Sequence, residues 1–243
     1  MWKLYKSDCL ELLPKIKTDP LETVIITSPP YNMNLRVGRP NAGYKARKFE
    51  NSSSELIATK YKNYRDDLPM DLYYSFQKDF LSIAIEKAGL VFYNIQAVTG
   101  NKVALFKLLG DFSENIKDVI IWDKLHGQPA VKDGCLNSRF EFLFILSKDG
   151  SRRRFEGALF ERGKLDNVWE IKAGKHKGAK AGFPEEFVEK ILINFVPKHM
   201  LVIDPFVGSG TTGVVCKRLG YNFIGIELDQ ETCEYASKRI RGV

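Results

Sequence analysis

Histidine and cysteine are scarce, with three of one and four of the other in 243 residues. His126, His176 and His199 are scattered, and Cys9, Cys135, Cys216 and Cys233 form no CxxC pair, so zinc-like spacing is absent and no metal site is expected. Cys9 and Cys216 read as small buried hydrophobes. Long apolar runs are missing too, since none approaches the roughly 20 residues that cross a bilayer. The opening MWKLYKSDCLELL lacks the basic, apolar and small-residue order of a secretory signal. No membrane contact is expected, and a cytoplasmic location is. There is also no internal repeat, which excludes a solenoid or propeller.

What is present suits a packed globule. Hydrophobic residues make up 44% and aromatics 12%, and the length fits one α/β core with insertions, a single domain over residues 1–243. Lys plus Arg number 37 against 30 Asp plus Glu, and the net charge of +7 favours a polyanionic partner. RVGRPNAGYKARK sets Arg36, Arg39, Lys45, Arg47 and Lys48 among glycines, and TKYKNYR places cations between tyrosines. SRRRFEG and KAGKHKGAK add Arg152, Arg153, Lys175 and Lys177. One such stretch is usually a solvated loop. Four of them suit a nucleic acid, whose phosphates take flexible cations and whose bases take stacking faces.

Strand and helix alternate along the chain. WKLYKSD, TVIITS, GLVFYNIQ, KDVIIWDK, FEFLFILSK, HMLVIDPF and NFIGIEL read as strands. PMDLYYSFQKDFLSIAIEKA carries Leu72, Phe76, Phe80, Ile83 and Ile85 at helical spacing. FPEEFVEKILINFV opens with Pro184 and two glutamates, which suits a helix N-terminus, and Phe187, Ile191, Ile193 and Phe195 give it an apolar face. The expected fold is α/β, a mostly parallel sheet with helices on both faces. Residues 34–64 read as a long mobile loop and residues 150–182 as an inserted recognition element.

Two strand ends are unusual. The continuous run Val24-Ile25-Ile26 stops at Ser28-Pro29-Pro30-Tyr31, where two prolines remove backbone donors and hold the preceding residues extended. Near the other end of the chain, DPFVGSGTTG puts Gly208, Gly210 and Gly213 at GxGxxG spacing between a strand and a helix. Glu227 ends the next strand, where a carboxylate accepts ribose hydroxyls. Together these indicate a nucleoside cofactor. Val214 stands where a Walker loop needs lysine. A dinucleotide loop is the rival reading, which would make the chain a nicotinamide-dependent oxidoreductase. Against it, Asp204 beside the loop repels a pyrophosphate and suits a cation, and S-adenosylmethionine carries an ammonium and a sulfonium.

TSPPYN together with DPFVGSGTTG resembles the DNA methyltransferases that modify exocyclic amino groups. The tetrapeptide precedes the glycine motif, an order similar to their beta class. The resemblance implies a Rossmann-like methyltransferase fold with circularly permuted motifs, in which Ser28, Pro29, Pro30 and Tyr31 are catalytic. It implies S-adenosylmethionine held by Asp8, Phe183, Asp204, Phe206, Gly208, Ser209, Gly210, Thr211 and Glu227. Ser28 Oγ and the Pro29 carbonyl would each accept one N–H of the target amine, and Tyr31 would stack the extruded base. Serine before the prolines favours cytosine N4, with adenine N6 as the alternative. Double-stranded DNA is the expected partner, contacted by the loop at 34–64 and the region at 150–182. A homodimer and a cognate restriction endonuclease are further candidates that one sequence leaves open.

Overall fold

Every residue of Thr23–Thr27 is buried, as expected of a β-branched run covered on both faces. Its side chains part between two layers. Val24 and Ile26 join one apolar cluster and Ile25 the other. The computed structural model describes residues 1–33, 67–128, 133–174 and 182–243. Its elements are β1 (Trp2–Lys6), α1 (Cys9–Leu12), β2 (Thr23–Thr27), α2 (Met70–Lys87), β3 (Leu90–Ile95), α3 (Lys102–Asp111) and β4 (Ile116–Gln128). Then follow β5 (Ser138–Leu146), β6 (Val168–Glu170), α4 (Glu185–Phe195), β7 (Leu201–Asp204), α5 (Thr211–Leu219), β8 (Asn222–Glu227) and α6 (Gln230–Arg241).

The strands form one eight-stranded sheet in the order β1-β8-β7-β2-β3-β5-β4-β6. One cluster packs Cys9, Phe80, Leu81, Ala84, Leu105 and Leu108 of α1, α2 and α3 against the sheet. The other packs Phe187, Val188, Ile191, Val214, Val215 and Ile240 of α4, α5 and α6 against it. Helices thus cover both faces, as expected. From β7 the chain runs through α5 to β8, and from β2 through α2 to β3, on opposite faces and in opposite directions. This divergence opens a crevice at the carboxyl ends of β7 and β2, the general position for ligands in such sheets.

The sheet is mostly parallel, as expected, with β5 antiparallel to both β3 and β4. The described part of residues 150–182, read as an inserted recognition element, is tied into the core. β6 pairs with β4, Trp169 is fully buried, and Phe155 and Phe160 pack edge-on against Phe195. One expectation needs correction: Ile193, read as part of the buried face of α4, is 52% exposed, while Val188 and Leu192 fill that face instead. No described helix is long and apolar enough to cross a membrane. Cys9 and Cys216 are buried, as expected, and burial pushes the Cys9 thiol up to about 12.

Candidate active site

The tip that follows β2 is clamped from outside. Tyr73 Oη and Gln77 Nε2 of α2 donate to the Pro30 carbonyl at 2.9 and 3.2 Å, and Tyr93 Oη donates to Gln77 Oε1 at 2.8 Å. Asn32, at a φ of 56°, donates from Nδ2 to the carbonyls of Leu68 and Gly100 at 3.0 and 2.8 Å. Its Oδ1 accepts from Leu68 N–H at 2.8 Å. Asparagine tolerates this left-handed backbone better than most residues. With Pro30 and Asn32 fixed, the tip borders a cavity that Ser28 and Pro29 both line.

The glycine loop forms the facing wall. Gly208 and Gly210 have φ of 53° and 85°, a conformation in which a Cβ is strained. Gly213 instead serves packing, because a Cβ there would lie 2.4 Å from Ile240 Cδ1. Glu227 Oε2 accepts from Gly208 N–H and Oε1 from Asp229 N–H, both at 2.9 Å. Burial raises its pKa, and the two N–H bonds oppose the rise. A carboxylate offers about four lone-pair sites, so each oxygen keeps one for a ligand hydroxyl. Asp8 caps α1, its Oδ1 accepting from Leu10 N–H at 2.7 Å. Phe206 packs edge-on against Phe80 at 4.9 Å, and Phe183 stacks on Phe187 at 5.5 Å.

Asp204, expected among the cofactor's contacts, is hydrogen-bonded within the protein. It borders the cavity, but Oδ1 accepts from Thr27 Oγ1 at 2.7 Å and from Phe206 N–H at 3.1 Å, and Oδ2 from Thr212 Oγ1 at 2.6 Å. Only 1% of the residue is exposed. Its carboxylate therefore ties the ends of β2 and β7 to the start of α5. Burial lifts its pKa from 3.8 to about 6, against the pull of the threonine bonds.

The cavity, of about 500 Å³, joins the two walls. Ser7, Asp8, Phe183, Phe206, Gly208, Ser209, Thr211 and Glu227 line one end, and Ser28, Pro29, Tyr31, Asn94, Lys124 and Glu141 the other. That volume lies within the range of cofactor sites. Lys124, Glu141 and Asn94 were missed in the sequence, although a signal existed. Trp122 and Lys124 share one parity of β4, and Glu141, Leu143 and Ile145 one parity of β5, and all five are buried. A charge at an inward position of a strand is the mark of a site. The hairpin holds these two in place. Arg139 donates two hydrogen bonds to Asp123 at 2.7 and 2.6 Å, beside the register shift that follows Asp123.

The expected DNA contacts fare less well. Arg36, Arg39, Lys45, Arg47, Lys48, Lys175 and Lys177 lie outside the described residues. Arg153 pairs with Asp118 at 2.8 Å, and Lys117 Nζ donates to the Arg152 carbonyl at 2.6 Å. Both arginines thus sit by the start of β4, about 20 Å along the strand from Lys124 at ~3.3 Å per residue. That is the end of the strands opposite the cavity, away from the carboxyl ends of β2 and β7.

A glycine loop, a carboxylate on the next strand and a cavity at the switch point of a doubly covered sheet define an α/β protein of the cofactor-binding class. A model described as DNA methylase, for the N6/N4 methyltransferases, matches residues 23–238, and the chain belongs to that family. It is a DNA methyltransferase of the exocyclic-amine type. The Type II methyltransferase M2.LlaDCHI of Lactococcus lactis subsp. cremoris is 27% identical over 254 residues, covering 98% of this chain and 88% of that one. M.SmaI of Serratia marcescens is 34% identical over 132 residues, which cover 50% of this chain and 44% of M.SmaI. Among solved structures, the PvuII DNA methyltransferase (cytosine-N4-specific) superposes with a TM-score of 0.72 at 17% identity, covering 98% of this chain and 86% of that one. The M1.HpyAVI–SAM complex gives 0.61 at 22% identity, covering 98% of this chain and all of that one. At these identities the likeness concerns the fold.

Proposed function

We propose that the chain moves a methyl group from S-adenosylmethionine to the N4 amine of a cytosine extruded from double-stranded DNA. The observation that carries this reading is the pair of acceptors on the rigid tip, Ser28 Oγ and the Pro29 carbonyl, beside a cavity that also reaches the glycine loop. An aromatic amine is a poor nucleophile while its lone pair is delocalised into the ring. Two acceptors that each take one N–H hold the nitrogen so that the lone pair is free. Tyr31, tethered through its hydroxyl to Glu141 at 2.8 Å, offers its ring to stack the base. S-adenosylmethionine, when bound, supplies an electrophilic methyl on its sulfonium. Glu227 and Asp8 would hold its ribose and adenine, and the turn at Ser209 to Thr211, with Phe183 and Phe206, its methionine end. Alignment of two bound groups supplies much of the acceleration.

Cytosine is favoured by the neutral Ser28 and by the name of the PvuII enzyme, which is cytosine-N4-specific. A cognate restriction endonuclease belongs to the proposal because relatives such as M2.LlaDCHI and M2.DpnII are Type II methyltransferases. The test is methyl transfer from labelled S-adenosylmethionine to mixed-sequence duplex DNA, followed by nucleoside digestion and mass spectrometry. N4-methyldeoxycytidine is the expected product. N6-methyldeoxyadenosine would keep the mechanism and overturn the base.

A further inference from the structure

One polar feature of the cavity enters the proposed transfer only through the tether of Tyr31. The side chains of Lys124 and Glu141 are 8% and 11% exposed, and Lys124 Nζ lies 3.2 Å from Glu141 Oε1. Taking two charges out of water is costly, and apolar residues of like volume would serve stability as well or better. The other carboxylate oxygen, Oε2, accepts from Tyr31 Oη at 2.8 Å. Tyr31 Oη is in turn 2.9 Å from Ser28 Oγ and 3.1 Å from Asn94 Oδ1.

The phenol has a single proton and these neighbours compete for it. A carboxylate at the shorter distance outbids a neutral amide oxygen, because charge-assisted hydrogen bonds are about twice as strong as neutral ones. With the Tyr31 proton committed to Glu141, the contact between the two hydroxyls is filled by the proton of Ser28. Both lone pairs of Ser28 Oγ then remain as acceptors. The geometry points to Glu141, neutralised and held by Lys124, as a positioning residue that sets the direction of the Tyr31–Ser28 hydrogen bond and so keeps Ser28 an acceptor for the target amine. This deepens the methyl-transfer reading above and rests on it. Without the carboxylate, Tyr31 can donate to Ser28. The Ser28 proton then turns toward the amine, where a donor meets a donor and one of the two acceptors is lost.

The test is a double-mutant cycle on the full chain with Glu141→Gln, Tyr31→Phe and both together. It reads the single-turnover rate of transfer from labelled S-adenosylmethionine to duplex DNA and, by calorimetry, the cofactor Kd. Glu141→Gln is expected to slow transfer roughly 10- to 100-fold, the scale of a misplaced reacting group, with Kd within about threefold. In the Tyr31→Phe background the same change is expected to cost under about twofold, since residues acting through one another are not additive. Independent, multiplying losses would overturn the inference, as would a parallel loss of cofactor binding, which marks a merely structural pair. Lys124→Met/Glu141→Gln, which leaves no unpaired charge, carries the test if Glu141→Gln does not fold. It is expected to be as slow as Glu141→Gln, and wild-type rates would overturn the role. If the unaltered chain methylates nothing, the reading beneath the inference falls and the inference falls with it.

Discussion

Asp204 and Ser28 are far apart in sequence and meet across one strand end, because Thr27, bonded to Asp204, directly precedes Ser28. Asp204 carries a prediction about pH. Its folded pKa, about 6 against an ordinary 3.8, means that between those values the folded chain holds a proton that the unfolded chain releases. Stability from this group is therefore complete below about pH 4 and is lost as pH rises to about 6, a span worth about 3 kcal/mol at 1.36 per unit. Asp204→Asn keeps an oxygen for Thr27 and an amide for Thr212 but cannot ionise. Denaturant unfolding is expected to show the gap between the two proteins moving in favour of Asn by ~1–3 kcal/mol from pH 4 to 7.5. A gap independent of pH would mean that the carboxylate is not a buried charge. Ser28, Tyr31, Gly208 and Glu227 were legible in the sequence because each sits in a short local motif. Lys124 and Glu141 were missed because their partners are on another strand, although their parity with buried apolar neighbours was a signal within each strand.

At the level of elements, the turn into α5 depends on one glycine. Gly210 has a φ of 85° and a Cβ there would lie 3.0 Å from that of Ala236 in α6. Gly210→Ala is expected to cost about 1–3 kcal/mol from left-handed strain and overpacking, read as a lower urea midpoint, and to weaken cofactor binding by displacing Ser209 and Thr211. Unchanged stability would show that α6 yields easily. The alternation of strands and helices was legible because its periodicities differ. The direction of β5 was not, since a strand's pattern is the same either way round. The short connection from Gln128 to Ser138 was the available sign, because a parallel return needs a dozen or more residues. β6 escaped notice for another reason. Its three residues hold a single buried side chain, Trp169, within a polar stretch.

Across the whole molecule, the net charge of +7 does not by itself locate the DNA. The cavity lies at the carboxyl ends of β2 and β7, and Arg152 and Arg153 lie by the start of β4, at the opposite end of the strands. The double variant Arg152→Ala/Arg153→Ala is expected to change transfer to duplex DNA less than about threefold at one fixed salt concentration, since exposed ion pairs are worth ~0–1 kcal/mol. A loss of tenfold or more would place DNA across that end. The central claim, that the acceptors on the tip after β2 act on the amine and not on the cofactor, is tested most directly by Ser28→Ala. Calorimetry with S-adenosylmethionine and single-turnover transfer to duplex DNA would be measured on the same preparation. The account predicts a Kd within about threefold of the unaltered chain and a rate lower by roughly 10²- to 10³-fold, as for the loss of one positioned hydrogen bond in an active site. Equal losses in binding and transfer, or an unchanged rate, would contradict it.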